Sequence, residues 1–184
     1  MNARILTLLC AIVAAAALRL VPHPPNFTPI GAMALFSGAY LGRRGLAFVA
    51  PLAALALSDA VLGFYSGMVF QYAAVGLVVL LGWFALRQKA PLRIGAAALA
   101  SSVLFFAISN FGVWLVSGMY PLSAAGLAEC YVAAIPFFQN TLGGDLFYSA
   151  LLFGGFALLE RAVPALRPQS ALRPTLVATS ACDL

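Results

Sequence analysis

The feature that most restricts this chain is how its apolar residues are gathered. They form long blocks, each bounded by arginine, proline or glycine, and several approach the roughly 20 residues that a membrane-spanning helix needs. Only 8% of the 184 residues are charged, where a soluble domain carries about a quarter, and the mean hydropathy is +1.02. No soluble domain fits between the blocks. The expected fold is therefore an all-α membrane protein, a six-helix transmembrane bundle over residues 1–160. Residues 161–184 are read as a disordered cytoplasmic tail, since the stretch from Glu160 holds Pro164, Pro168 and Pro174 and lacks an apolar period.

The six expected helices cover residues 5–21, 29–41, 46–62, 68–86, 94–116 and 141–159. With both termini cytoplasmic, nine of the ten basic residues fall on one side: Arg4, Arg43, Arg44, Arg87, Lys89, Arg93, Arg161, Arg167 and Arg173. The net charge of +5 thus follows topology, and nucleic acid is not an expected partner. The second helix is short for a span. It is kept because removing it would invert everything downstream and put the 87–93 cluster outside, and because interrupted segments occur where backbone lines a protected cavity. The first block also fits a cleaved signal peptide, with Ala14 to Ala17 as small residues near a cleavage site.

On this topology the remaining polar residues collect at the outer helix ends: Arg19, His23, Asp59, Asn110, Glu129, Gln139, Asn140 and Asp145. A charge inside a span is costly unless paired or wet, so Asp59 and Asp145 are functional candidates. For Asp145 a plainer reading stands beside that one: near a helix start its charge suits the dipole. Asp59 falls at a helix C-terminus, where the dipole disfavours an anion, and Arg19 is its expected partner. Aromatic residues at the same level, among them Phe27 and Trp114, fit either an interfacial belt or the walls of a pocket.

The stretch "RLVPHPPNFTPIGA" (19–32) carries four prolines, the only histidine and Asn26. Proline fixes φ and favours extended backbone before it, so this connector is stiff; Asn26 is placed to cap or turn the chain into the next helix. It is either a plain turn or a lid over a polar mouth. Pro136 is expected to end any helix begun near 124, leaving residues 117–140 as a half-buried outer cap, with Gly143 and Gly144 flexible or closely approached. Ala11 and Ala15 are small residues at helical spacing, suited to close packing inside the chain or against a partner.

No phosphate-binding glycine loop, HExxH or paired-cysteine motif occurs, and Cys10, Cys130 and Cys182 lie far apart. Neither a cofactor nor a metal is expected, and no second catalytic group supports Asp59 or Asp145 as an enzyme's acid or base.

The segments "PHPPNFTPIGAMALFSGAYLG", "PLAALALSDAVLGFY", "NFGVW" and "YVAAIPFFQNTLGGDLFYSALLFG" together resemble a family of small bacterial inner-membrane proteins classed as a domain of unknown function. The resemblance covers about residues 18–157. More remotely, the chain is similar to the substrate-binding S-components of energy-coupling-factor transporters. That likeness implies six helices with cytoplasmic termini, a solute pocket near the outer face closed by the first connector, and uptake of a vitamin-like or other small metabolite. It also implies a transmembrane coupling subunit with ATPases, docked on a small-residue stripe that Ala11 and Ala15 match. Arg19, Asn26, Asp59, Asn110, Asn140 and Asp145 would then orient the solute, Phe27 and Trp114 would cover its rings, and the connector with His23 would gate. The rival expectation is a structural or assembly subunit whose polar mouth meets another membrane protein.

Overall fold

The computed structural model describes residues 3–42 and 45–167. Six helices follow one another: α1 (Ala3–Ala17, prolonged by a 3-10 turn over Leu18–Leu20), α2 (Ile30–Leu41), α3 (Leu46–Leu62), α4 (Met68–Ala85), α5 (Pro91–Val116) and α6 (Ala124–Ala162). A π-turn over Ala150–Gly154 interrupts α6, and a short 3-10 turn, Pro164–Leu166, follows it. Among the described residues there is no strand. Four of the helices, Ala3–Leu20, Met68–Ala85, Pro91–Val116 and Ala124–Ala162, are long and apolar enough to cross a membrane; α2 and α3 are shorter apolar helices. These properties mark the chain as a membrane protein.

The contacts at the two ends fix how the helices alternate. At one end Arg4, at the start of α1, pairs with Glu160 and with the Leu166 carbonyl near the end of α6. Lys89, between α4 and α5, lies 4.7 Å from the ring centroid of Tyr40 at the end of α2. Burial pushes the Lys89 ammonium below its ordinary pKa, against the opposing pull of Glu160. At the other end Arg19, just after α1, meets Asp59 near the end of α3, and Asp59 in turn accepts from Tyr72 near the start of α4. Successive helices therefore run in opposite directions. We call these the basic end and the cavity end.

At the centre stands α2. Every residue from Ile30 to Gly38 is buried, which matches a sequence that is apolar on all faces. Its closest neighbour is α4, and glycine on both sides permits the approach. A Cβ on Gly38 would strike the Val79 carbonyl, and one on Gly82 the Leu35 carbonyl. Leu8 and Ile12 of α1, Leu55 of α3 and Phe153 and Phe156 of α6 complete this core. The Phe36 ring meets those two phenylalanines edge-on, with centroids 5.3 and 5.7 Å away. Ala15 is buried in the same core and Ala11, partly buried, packs against it.

The largest departure from expectation is α6. Residues 117–140, expected as a cap ahead of a helix starting at 141, are largely helical instead: α6 begins at Ala124 and runs through Pro136. Only residues 117–123 connect α5 to it, with the Ser123 hydroxyl accepting from the Gly126 N–H at its start. Proline removes one intrahelical bond, which neighbouring helices in a membrane protein can offset. Here α5 grips α6 on both sides of Pro136: the Tyr131 hydroxyl donates to the Ala107 carbonyl, and the Phe106 ring packs 5.7 Å from Tyr131 and 5.2 Å from Phe138. The tail also begins in order. Leu166 is buried, and Arg167 donates to the Glu160 and Arg161 carbonyls, so the expected disorder does not extend to residues 161–167. Residues 168–184 lie outside the described residues, as do Arg43 and Arg44.

Candidate functional site

A short central helix creates a problem that the site solves. Twelve residues at 1.5 Å each give about 18 Å, so α2 falls well short of a hydrocarbon core of about 30 Å. Its first N–H groups have no partner within the helix, and Pro29 before it offers no side-chain cap. The cap comes from α6. The Asp145 carboxylate, 2% exposed, faces the Ala32 N–H, and the Ser102 hydroxyl lies 2.8 Å from its Oδ2. That hydroxyl is also 3.0 Å from the Ala98 carbonyl, and its single proton serves one acceptor at a time. Ser101 faces the same carboxylate, yet its buried Oγ makes no regular hydrogen bond. Glycine is required at position 31, since any Cβ there would overlap the Asp145 carboxylate. The sequence reading placed Asp145 at the start of its own helix. It stands instead twenty-one residues beyond the start of α6 (124 to 145) and serves the dipole of α2.

The connector between α1 and α2 is held rigidly against α6. Asn26 takes a left-handed conformation, φ 63°, and turns the chain; the Phe27 N–H bonds to the Pro24 carbonyl at 3.0 Å. Asn140 donates to the Pro25 carbonyl at 2.9 Å. The Phe27 ring lies 5.9 Å from Phe147 and 5.7 Å from Tyr148. Gly144 lets the backbones close up, because a Cβ there would come within 3.1 Å of the Thr28 nitrogen. The four prolines thus shape a fixed wall, and α6 carries the residues that fasten it.

Between that wall, the starts of α2 and α4, and the facing stretches of α5 and α6 lies a cavity of about 310 Å³. Arg19, Asn26, Asn110 and Asp145 line it, four of the residues expected at a site. Asp59 stands behind Arg19. Arg19 Nη1 donates to Asp59 Oδ1 at 2.8 Å and to the Ser58 hydroxyl, and the Tyr72 hydroxyl donates to Asp59 Oδ2 at 3.0 Å. With side chains 9% and 1% exposed, the pair is buried, and the expected partnership of Arg19 with Asp59 is present. Phe27 and Asn140 hold the connector and do not line the space. His23, whose Nδ1 is 2.6 Å from the Val21 carbonyl, and Trp114, whose indole N–H donates to the Pro121 carbonyl at 2.9 Å, also stand apart from it.

Tyr65 and Phe137, two of the aromatic residues expected at this level, also line the cavity, whereas Gln71, Phe105, Phe106, Ser109 and Thr141 were not expected from the sequence. Two had a usable signal. Gln71 is the lone amide in an apolar helix, and Thr141 lies one turn before Asp145 on the same helix face. Asn110 turns its amide back on its own helix, donating to the Phe106 carbonyl at 2.8 Å, as Ser109 does to Phe105 at 2.7 Å. Among the described residues no three His, Cys, Asp or Glu side chains gather as metal ligands.

The chain belongs to a family of unknown function (DUF6580), whose model matches residues 1–166. No curated protein and no solved structure matches it.

Proposed function

We propose that this family member is a membrane-embedded binding subunit for the uptake of a small metabolite, with the cavity as its solute site. One observation carries the reading: a 310 Å³ space walled by separate elements, in which a few polar groups converge among phenylalanines. That volume is at the small end of ligand pockets, and few polar groups on an apolar wall is their usual make-up. In this reading the protein sits in a bacterial inner membrane with the basic end and both termini cytoplasmic, following the positive-inside bias. The cavity then faces the outer side, and the connector over residues 21–29 is its wall.

Uptake needs two states of different solute affinity, and a source of energy to drive them. The sequence carries no nucleotide-hydrolysis motif, so a transmembrane coupling subunit with ATPases, as in the S-components, is the proposed partner. Catalysis is not proposed, because the groups around Asp145 are hydroxyls and a backbone N–H, none of which is a base.

The test is a thermal-shift screen of the purified protein in nanodiscs against a metabolite library, run beside Ser109→Trp, which fills the cavity. A solute that stabilises the wild type and not the variant supports the reading. If no solute stabilises the wild type, while a membrane partner co-purifies equally with both, the protein is an assembly subunit.

A further inference from the structure

The charges around the cavity do not balance. Arg19 lines it, but its guanidinium is already neutralised by Asp59. Asp145 lines it too, and the ion pairs found among the described residues, Arg4 with Glu160 and Arg19 with Asp59, leave it without a cation. Its neighbours are the Ser101 and Ser102 hydroxyls and the first turn of α2, a terminus equivalent to about half a positive charge. Roughly half of a carboxylate's charge is thus left facing a space walled by Phe105, Phe106 and Phe137, where screening by water is weak. Phenylalanine faces attract cations, and the oxygens of Ser109, Asn110 and Thr141 offer acceptors on the same walls.

We infer that the solute is a small organic cation, with a protonated nitrogen seated against Asp145 and an apolar or aromatic body against Phe105, Phe106 and Phe137. This rests on the reading of the cavity as a solute site. An organic cation fits better than a bare metal ion, because about 310 Å³ is room for roughly ten waters. Ion coupling through sodium remains an arm of the test.

The experiment uses three probes of one shape in nanodiscs: phenethylamine, 2-phenylethanol and phenylacetate, with sodium chloride as the inorganic cation. Phenethylamine alone is expected to raise the melting temperature. Asp145→Asn is expected to weaken its binding at least ten-fold. Since that variant also disturbs the cap of α2, Thr141→Lys provides a second route: its ammonium, one turn from Asp145, occupies the place of the cation and abolishes the phenethylamine shift. Equal stabilisation by the neutral or anionic probe, stabilisation by sodium alone, or unchanged phenethylamine binding in Thr141→Lys overturns the inference. A neutral or anionic metabolite that Ser109→Trp excludes would leave the solute-site reading standing and remove only the cation. Failure of every probe and every metabolite would remove both.

Discussion

Replacing Asp59 with alanine tests whether the cavity end is held by a buried ion pair or by a surface one. In the wild type Arg19 reaches Asp59 at 2.8 Å with the two side chains 9% and 1% exposed, and Tyr72 adds a second bond to the carboxylate. Removing one partner of a buried pair costs about 3–5 kcal/mol, because the other charge is left without compensation. The orphaned Tyr72 hydroxyl adds about 1 kcal/mol. For a chain of this length each kcal/mol moves the melting temperature by roughly 2–4 °C, so Asp59→Ala should melt about 8–24 °C below the wild type in nanodiscs. The double variant Arg19→Met with Asp59→Leu removes both charges and should recover most of that loss. A deficit below about 1 kcal/mol, the worth of an exposed pair, would show that water reaches Arg19 and that the end is open.

Other positions give independent checks. Gly82→Leu should destabilise by at least about 1–3 kcal/mol, since its side chain meets the Leu35 backbone, while Gly95→Ala, which meets nothing, should be neutral or slightly stabilising in the same melts. Asn140→Ala removes the bond to the Pro25 carbonyl, at a cost of about 1 kcal/mol, and should speed amide exchange over residues 21–29 more than elsewhere. Lys89 is the only lysine, so its acylation can be followed by peptide mass spectrometry. Burial lowers its pKa and Glu160 opposes that, so half-maximal reactivity should come at a lower pH than for a free lysine, and lower still in Glu160→Gln.

Much of the bundle was legible because lipid imposes one simple rule on sequence: apolar blocks of limited length, with charge at their ends. The ends of α3 and α4 and the partnership of Arg19 with Asp59 followed from that rule. Pro136 misled, because proline's local cost is visible in sequence whereas the grip of α5 on either side of it is not. Asp145 misled for a related reason. Counted along its own chain it looked terminal, but its role depends on where another helix begins. The residues that pin the connector, Asn140 and Gly144, lie more than a hundred positions from it, and no local pattern announces such a pairing. The prolines reported the stiffness of the wall; its position came from α6.

The central claim is that the space above Asp145 is a chamber entered from the end opposite Lys89. A cysteine at Thr141, in a chain with Cys10, Cys130 and Cys182 replaced by alanine, can be labelled with a membrane-impermeant thiol reagent in sealed vesicles whose orientation is set by Lys89 acylation. The account predicts labelling only from the face opposite Lys89, slowed by a bound solute. Labelling from the Lys89 face, or none from either face in a folded protein, would contradict it.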